Sequence, residues 1–190
     1  MKKLLPFLFM LAFACKKTDN SPSVNLSDIP LKAGNSWSYA VTNYPATETD
    51  TAVFQIAGPY AINGGPITYT TKTSIRGLTI DSGIISQTAS SLTFTGNNGL
   101  QTFAGSGLFE GWTLNFPISS QSSWTATGAT IKVISSGQTL SLGGNNYTNV
   151  YTLCRTSVTP GGAVNDTLSI APNVGIVQWH GFPLVSYHLQ

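Results

Sequence analysis

Side chains suited to acid–base or metal chemistry are few in this sequence. Its 190 residues include only two histidines, His180 and His188, and charged residues make up 8% of the chain. A turn between the two histidines would place them on neighbouring strands. A zinc-type site would still need a third ligand from Cys, Asp, Glu or His, and none stands close by. We therefore favour two surface histidines and predict no metal and no cofactor.

The carboxylates show no catalytic spacing either. Glycoside hydrolysis needs a pair of them. Glu48 and Asp50 are close in sequence, but they stand among threonines in a predicted turn and are expected to face solvent. Asp81, Glu110 and Asp166 are isolated along the chain. No catalytic residue is predicted, and an enzyme, for example a hydrolase, is the weakest of the functional interpretations.

The sequence contains no complete motif for nucleotide binding or for a serine nucleophile. The segment 105–110, GSGLFE, begins like a dinucleotide-binding fingerprint but lacks the third glycine and a following helix, so we interpret it as a loop. The G-x-S-x-G motif of serine hydrolases is absent from the sequence. Nine basic residues against seven acidic ones are too few for a nucleic-acid-binding surface.

The N-terminus has the layout of a secretion signal. Lys2 and Lys3 precede an apolar run that ends at Ala14, just before Cys15. The stretch resembles a bacterial lipoprotein signal, which implies cleavage after residues 1–14 and lipid attachment to Cys15. An ordinary secreted protein with a free Cys15 thiol is the alternative.

Lipid on Cys15 would make the membrane a partner of this chain. Residues 15–28 are polar and are predicted to form a flexible tether. The location predicted is the bacterial cell envelope, with the protein lipid-anchored in the outer membrane on its periplasmic or surface face. Once Lys2 and Lys3 are removed, seven basic residues face seven acidic ones. Electrostatic attraction of a charged ligand is therefore not expected.

Residues 29–190 are predicted to form one all-β domain. Apolar residues alternate with Ser and Thr in short segments, and glycine–asparagine turns such as 143–146 separate them. We expect a single antiparallel meander of about 11–13 strands. A sheet of that size must curl, close or split, so a curved half-barrel, a barrel and a two-layer sandwich all remain open. Cys154 lies within a strand and is expected to be a small buried side chain.

Aromatic residues are the best candidates for contact with an apolar ligand. Trp37 and Trp124 open two predicted strands, each seven residues after a proline, and are expected to be core. Other aromatic positions are predicted to line a curved sheet and to face a ligand. These are Tyr69, Phe94, Trp112, Phe116 and Trp179.

Several motifs together resemble those of a family of uncharacterised lipoproteins from Bacteroidota-type bacteria. They are P-L-x-x-G-N-x-W-x-Y at residues 30–39, N-V-Y at 149–151 and A-P-x-V-G-x-V at 171–177. The resemblance implies a shape like the half-open β-barrels that shelter acyl chains in lipoprotein carriers. Asp-Thr-apolar segments also resemble the O-glycosylation acceptor of such bacteria, which makes Thr51 and Thr167 candidate sites.

The function these observations favour is non-enzymatic binding or structural support at the envelope. An apolar ligand held in a curved sheet is the first hypothesis. A surface that binds a glycan or a partner protein through its Thr- and Asn-rich faces is the second. The residues do not indicate which ligand or partner is bound.

Overall fold

The computed structural model of the chain describes residues 22–42, 49–61, 67–96, 109 and 111–190. These ranges are almost wholly β, with one short 3₁₀ turn at Leu26–Asp28. No helix among them is long and apolar enough to cross a membrane. The strands are β1 (Ser36–Thr42), β2 (Thr49–Ala61), β3 (Ile67–Ile75), β4 (Leu78–Gln87), β5 (Ser91–Gly96), β6 (Thr113–Asn115), β7 (Ser123–Ala126), β8 (Ala129–Leu142), β9 (Asn145–Thr159), β10 (Gly162–Ala171), β11 (Gly175–Trp179) and β12 (Phe182–His188).

The twelve strands form one antiparallel sheet in the order β6-β5-β4-β3-β2-β1-β12-β11-β10-β9-β8-β7. The sheet curls until its edge strands β6 and β7 meet, where the Trp124 indole Nε1 donates to the Thr113 carbonyl oxygen at 2.8 Å. The predicted all-β antiparallel meander is confirmed, and it takes the form of a nearly closed barrel.

The meander gives the barrel two ends. The hairpin end carries the turns at 76–77, 160–161 and 180–181, which join β3 to β4, β9 to β10 and β11 to β12. The N-terminal end carries the segment 22–35 and the turns at 143–144 and 172–174. Functional groups on opposite ends are therefore separated by the length of the strands.

Alternation along the strands places the core inside the barrel. Trp37, Tyr39 and Val41 of β1 are all buried, as the period of two predicts. Strand β3 differs, because Ile67 is 54% exposed while Thr71 and Thr73 are buried. The β-branched threonine side chain suits a pleated surface, so hydroxyl-bearing residues form this part of the inner wall.

The ring of Phe109 lies at the centre of the aromatic core. It is almost fully buried and meets four other rings edge-on. Its ring centre is 5.0 Å from that of Phe54 and 5.7 Å from those of Tyr39, Phe94 and Trp179. Such edge-to-face contacts add to the burial of apolar area. Phe109 belongs to the connection between β5 and β6, so a loop residue completes the barrel core.

The β8–β9 hairpin packs against β12 as well as within the sheet. Its turn brings Gly143 against the backbone of Leu184 and Val185, and Gly143 has a positive φ of 57°. A Cβ atom at this position would lie 2.7 Å from the Leu184 carbonyl oxygen and 2.8 Å from the Val185 Cα atom. Glycine is therefore required here for close approach of two backbones.

We expect Gly143→Ala to lower the free energy of unfolding by about 1–3 kcal/mol more than Gly144→Ala does. Both glycines have positive φ, but a Cβ atom at Gly144 would meet nothing within 4 Å. The difference in the free energy of unfolding between the two variants therefore measures the clash of the added Cβ atom with β12. Urea unfolding of the two variants measures it, and equal midpoints would show that the hairpin does not pack against β12.

Candidate ligand-binding cleft

The described N-terminal segment lies against the N-terminal end of the barrel. Val24 is fully buried and forms a two-bond antiparallel bridge with Ile118, with N–O distances of 2.9 and 2.8 Å. The Tyr151 hydroxyl donates to the Pro22 carbonyl oxygen. Residues 22–28 belong to the predicted tether of residues 15–28, and they are seated on the barrel by these contacts.

A cleft of about 340 Å³ opens between this segment and the ends of β3 and β4. Its size lies within the range of about 300–1,000 Å³ typical of small-molecule sites. The Tyr69 hydroxyl donates to Gln87 Oε1 at 3.2 Å in its wall. Aliphatic and uncharged polar side chains line it, namely Leu26, Ser27, Ile29, Leu31, Tyr69 and Gln87.

A small void lies deeper in the barrel, beyond the cleft. Its volume is about 20 Å³, which is enough for about one water molecule. Its wall is apolar and includes Trp37, Phe94 and Phe109. Ile29 and Leu31 line both the void and the cleft. Two aliphatic side chains therefore form a shared wall between the surface cleft and the centre of the barrel.

The structure distributes the five predicted ligand-facing aromatics over different places. Tyr69 lines the cleft and Phe94 lines the void. Phe116 is half-buried in the connection between β6 and β7, at the N-terminal end. Trp112 and Trp179 are buried near the hairpin end. Only Tyr69 and Phe94 thus belong to the cleft and the void next to it, and what each residue binds stays a prediction.

A polar cluster near the hairpin end involves residues that are far apart in sequence. Asp166 accepts from the Trp112 indole Nε1 at 3.0 Å and lies 2.9 Å from His180 Nδ1. The Arg155 guanidinium lies over the Trp112 ring, 5.5 Å from its centre. The Asp166 carboxylate orients the imidazole ring of His180 through Nδ1, so Nε2 is the ring nitrogen that takes no part in this contact. Asp166 is thus not isolated in space, although nothing in its sequence spacing indicated the pair.

The two histidines do not meet. His180 lies in the turn that precedes β12, and His188 ends that strand. A strand of this length spans about 20 Å, so the alternative of two adjacent histidines does not occur. Both side chains are exposed, in agreement with the prediction of two surface histidines. In the described ranges, no group of three or more His, Cys, Asp or Glu side chains is placed to hold a metal ion.

The remaining polar candidates lie elsewhere or outside the described residues. Asp50 pairs with Arg76 at 2.7 Å on the surface. Glu48 and Glu110 lie outside the described residues, as does the side chain of Asp81. The predicted signal peptide at 1–14, Cys15 and residues 105–108 of the predicted loop also lie outside them.

The predicted modification sites have different exposure. Thr51 is exposed on β2 and Thr167 is half-buried on β10. Thr51 therefore meets the accessibility that glycosylation requires, and modification of both residues stays a prediction. Cys154 is half-buried rather than part of the core, with its Sγ 3.9 Å from the Thr156 hydroxyl.

Two tyrosines of the barrel core have raised pKa values. Burial raises the pKa of Tyr39 well above 10, with a smaller contribution from Tyr147, and the Tyr39 hydroxyl donates to the Ile176 carbonyl oxygen at 2.8 Å. Burial also raises the pKa of Tyr147, aided by Tyr187 and opposed by the nearby Asn145 side chain. The fold therefore favours the neutral form of both phenols.

We expect the barrel to lose stability as the pH rises above about 10, because unfolded tyrosines ionise there while the folded Tyr39 keeps its proton. Below that pH this contribution is fully present. Each retained proton changes the free energy of unfolding by up to about 1.4 kcal/mol per pH unit. Urea unfolding from pH 8 to 11 measures the slope. Tyr39→Phe should flatten the slope, and an unchanged slope in this variant would contradict the assignment.

The described residues thus define a nearly closed antiparallel β-barrel with a cleft at its N-terminal end. Two solved structures are similar to it. One is a candidate exported protein with a YmcC-like fold from Bacteroides fragilis, with 11% identity, a TM-score of 0.46, and coverage of 88% of this chain and 100% of the other. The second is a candidate lipoprotein from Parabacteroides distasonis, with 9% identity, a TM-score of 0.43, and coverage of 84% and 97%. No family model and no curated protein matches the chain.

Proposed function

We propose that this chain is a lipid-anchored, non-enzymatic protein of the bacterial cell envelope that binds a single-chain amphiphile in the cleft at its N-terminal end. The anchor is lipid on Cys15. The ligand is a molecule with one hydrocarbon chain and an uncharged polar head, such as a monoacylglycerol. The outer membrane is the proposed location.

Chain length limits how far the cleft can lie from the membrane. Six residues separate Cys15 from Pro22, the first described residue. Fully extended, the chain from Cys15 to Pro22 spans at most about 25 Å. Pro22 sits at the end of the barrel that carries the cleft. With its acyl chains in the bilayer, the protein would hold the cleft close to the membrane from which an amphiphile can come.

The observation that carries the proposal is the position of the cleft directly next to the barrel interior, with two aliphatic side chains between them. The cleft has the volume of a ligand site, and the two aliphatic residues Ile29 and Leu31 are shared with the apolar void behind it. A hydrocarbon chain entering the cleft would meet only apolar wall beyond these two side chains.

The chemistry of the lining indicates the kind of head group. Ser27, Tyr69 and Gln87 supply hydroxyl and amide groups, and none of the six described lining residues is charged. An ionic head would lose hydration without gaining a countercharge. Hydroxyl groups, in contrast, can exchange hydrogen bonds with water for bonds to these side chains.

The pair formed by Asp166 and His180 receives no catalytic role in this proposal. One oxygen of Asp166 is held by the Trp112 indole and the other by His180. These bonds tie the β5–β6 connection, β10 and the β11–β12 turn together. We therefore assign the pair to stabilisation of the hairpin end.

A surface-binding module is the second candidate, because the void inside the barrel has a volume of about 20 Å³. This is room for only about one water molecule, so a ligand would have to bind outside the barrel unless side chains move. A protein or glycan partner would then contact the outside of the barrel. The exposed Val158 and Leu78, 82% and 72% accessible, lie at the hairpin end, away from the anchored end.

Tryptophan quenching distinguishes the two candidates. The protein is purified in its membrane-anchored form, placed in phosphatidylcholine nanodiscs and titrated with a monoacylglycerol brominated in mid-chain. We expect saturable quenching, because Trp37 lines the void behind the cleft. Phosphatidylcholine carrying the same brominated chain is the control for quenching from the bilayer.

A matched pair of variants locates the binding. Ser27 lines the cleft, whereas Ser186 lies on β12 outside it, and both are exposed. Ser27→Phe should weaken binding by about tenfold or more, which corresponds to about 1.4 kcal/mol, and Ser186→Phe should leave it unchanged. Quenching that does not saturate, or that is equal in both variants, would support the surface module instead.

A further inference from the structure

Phe109 differs from the other rings that line the central void. Trp37, Tyr39, Phe54 and Phe94 belong to strands and are held by the hydrogen bonds of the sheet. Phe109 lies in the connection between β5 and β6, outside any strand. Its ring nevertheless occupies the middle of the barrel, in contact with three of these four rings.

The backbone of Phe109 is strained. Its φ is +64°, in the left-handed region that a bulky side chain rarely adopts. The packing around its ring is also incomplete, since the void of about 20 Å³ lies beside it. A strained residue persists when surrounding contacts hold it there, and such residues concentrate at ligand-binding and switch regions. The contacts that hold Phe109 include the ring contacts inside the barrel and a hydrogen bond from the Trp112 N–H to its carbonyl oxygen at 3.2 Å.

We propose that the Phe109 ring occupies a latent binding site for a hydrocarbon chain and that the chain of a bound amphiphile displaces it. The chain would enter from the cleft, move Ile29 and Leu31 aside, and take the place of the ring among Tyr39, Phe54 and Phe94. Departure of the ring relieves the strain at Phe109 and opens apolar space continuous with the void. This inference rests on the proposed function, because the same cleft supplies the entry.

Displacement of Phe109 can be observed directly by fluorine NMR. The membrane-anchored protein, which begins at Cys15 in the proposed function, is prepared with its six phenylalanines replaced by 4-fluorophenylalanine, and Phe109→Leu assigns the Phe109 resonance. Saturating monopalmitoylglycerol should move this resonance to a solvent-exposed chemical shift. The resonance of Phe182, a half-buried ring that does not line the void, should stay in place. A Phe109 resonance unchanged at saturation would overturn the inference.

Affinity provides the second readout. If the ring competes with the chain of the ligand, Phe109→Ala should tighten monopalmitoylglycerol binding by about tenfold, and Phe182→Ala should leave it unchanged. Phe109→Leu should lie between the wild type and Phe109→Ala, and it replaces the alanine variant if that variant fails to fold. Equal affinity in the wild type and a folded Phe109 variant would overturn the displacement. Absence of saturable binding to the wild type would instead overturn the proposed function.

Discussion

Trp37→Ala is expected to lower the free energy of unfolding by about 3–5 kcal/mol, the usual cost of removing a buried tryptophan. The side chain is 4% exposed, and its indole Nε1 donates to the Val174 carbonyl oxygen at 2.6 Å. This bond ties β1 to the turn between β10 and β11. The substitution therefore removes core volume and leaves a backbone acceptor without its partner.

Trp124→Ala is the matched control for this prediction. Trp124 also occupies the second position of its strand, and it also donates its indole N–H to a backbone carbonyl. It is only half-buried at the meeting of β6 and β7. We expect a loss of about 1–2 kcal/mol. Urea unfolding measures both variants, and an equal loss would contradict the difference in burial.

Cys15→Ser is expected to abolish lipid labelling of the protein completely. In cells fed an alkyne analogue of palmitate, the wild type should carry the label, since the sulfur of Cys15 is the proposed attachment atom. Two or three acyl chains give stable anchoring at about 0.8 kcal/mol per buried CH₂. A hydroxyl in place of the sulfur removes the site.

The second cysteine of the chain supplies the control. Cys154 lies in β9 and is half-buried. Cys154→Ser should retain full labelling because it leaves Cys15 intact. Label that persists in Cys15→Ser, or that is absent from the wild type, would contradict lipid attachment to Cys15 and hence the anchor in the proposed function.

Much of the fold follows from local patterns. In β1 the alternation of Trp37, Tyr39 and Val41 with polar residues predicted which face is buried. Glycine-rich turns between such segments predicted an antiparallel meander. Strand β3 could not be predicted in the same way, because it buries Thr71 and Thr73 and exposes Ile67. Burial there depends on the closure of the sheet rather than on hydropathy.

The candidate site was harder to predict, because contacts distant in sequence form it. The segment around Val24 was predicted to be part of a flexible polar tether, and only its bridge to Ile118 shows that it is seated on the barrel. Phe109 follows a glycine-rich stretch that is typical of a surface loop, yet its ring is at the centre of the core. Asp166 and His180 meet because a strand and two turns bring them together.

Native mass spectrometry of the protein extracted from its own membrane tests the central proposal most directly. We predict a chain that begins at Cys15, carries two or three acyl chains covalently, and retains one single-chain amphiphile that the Ser27→Phe variant loses. An unmodified Cys15, or the same non-covalent ligand bound equally in wild type and Ser27→Phe, would contradict a lipid-anchored protein with a binding cleft at its N-terminal end.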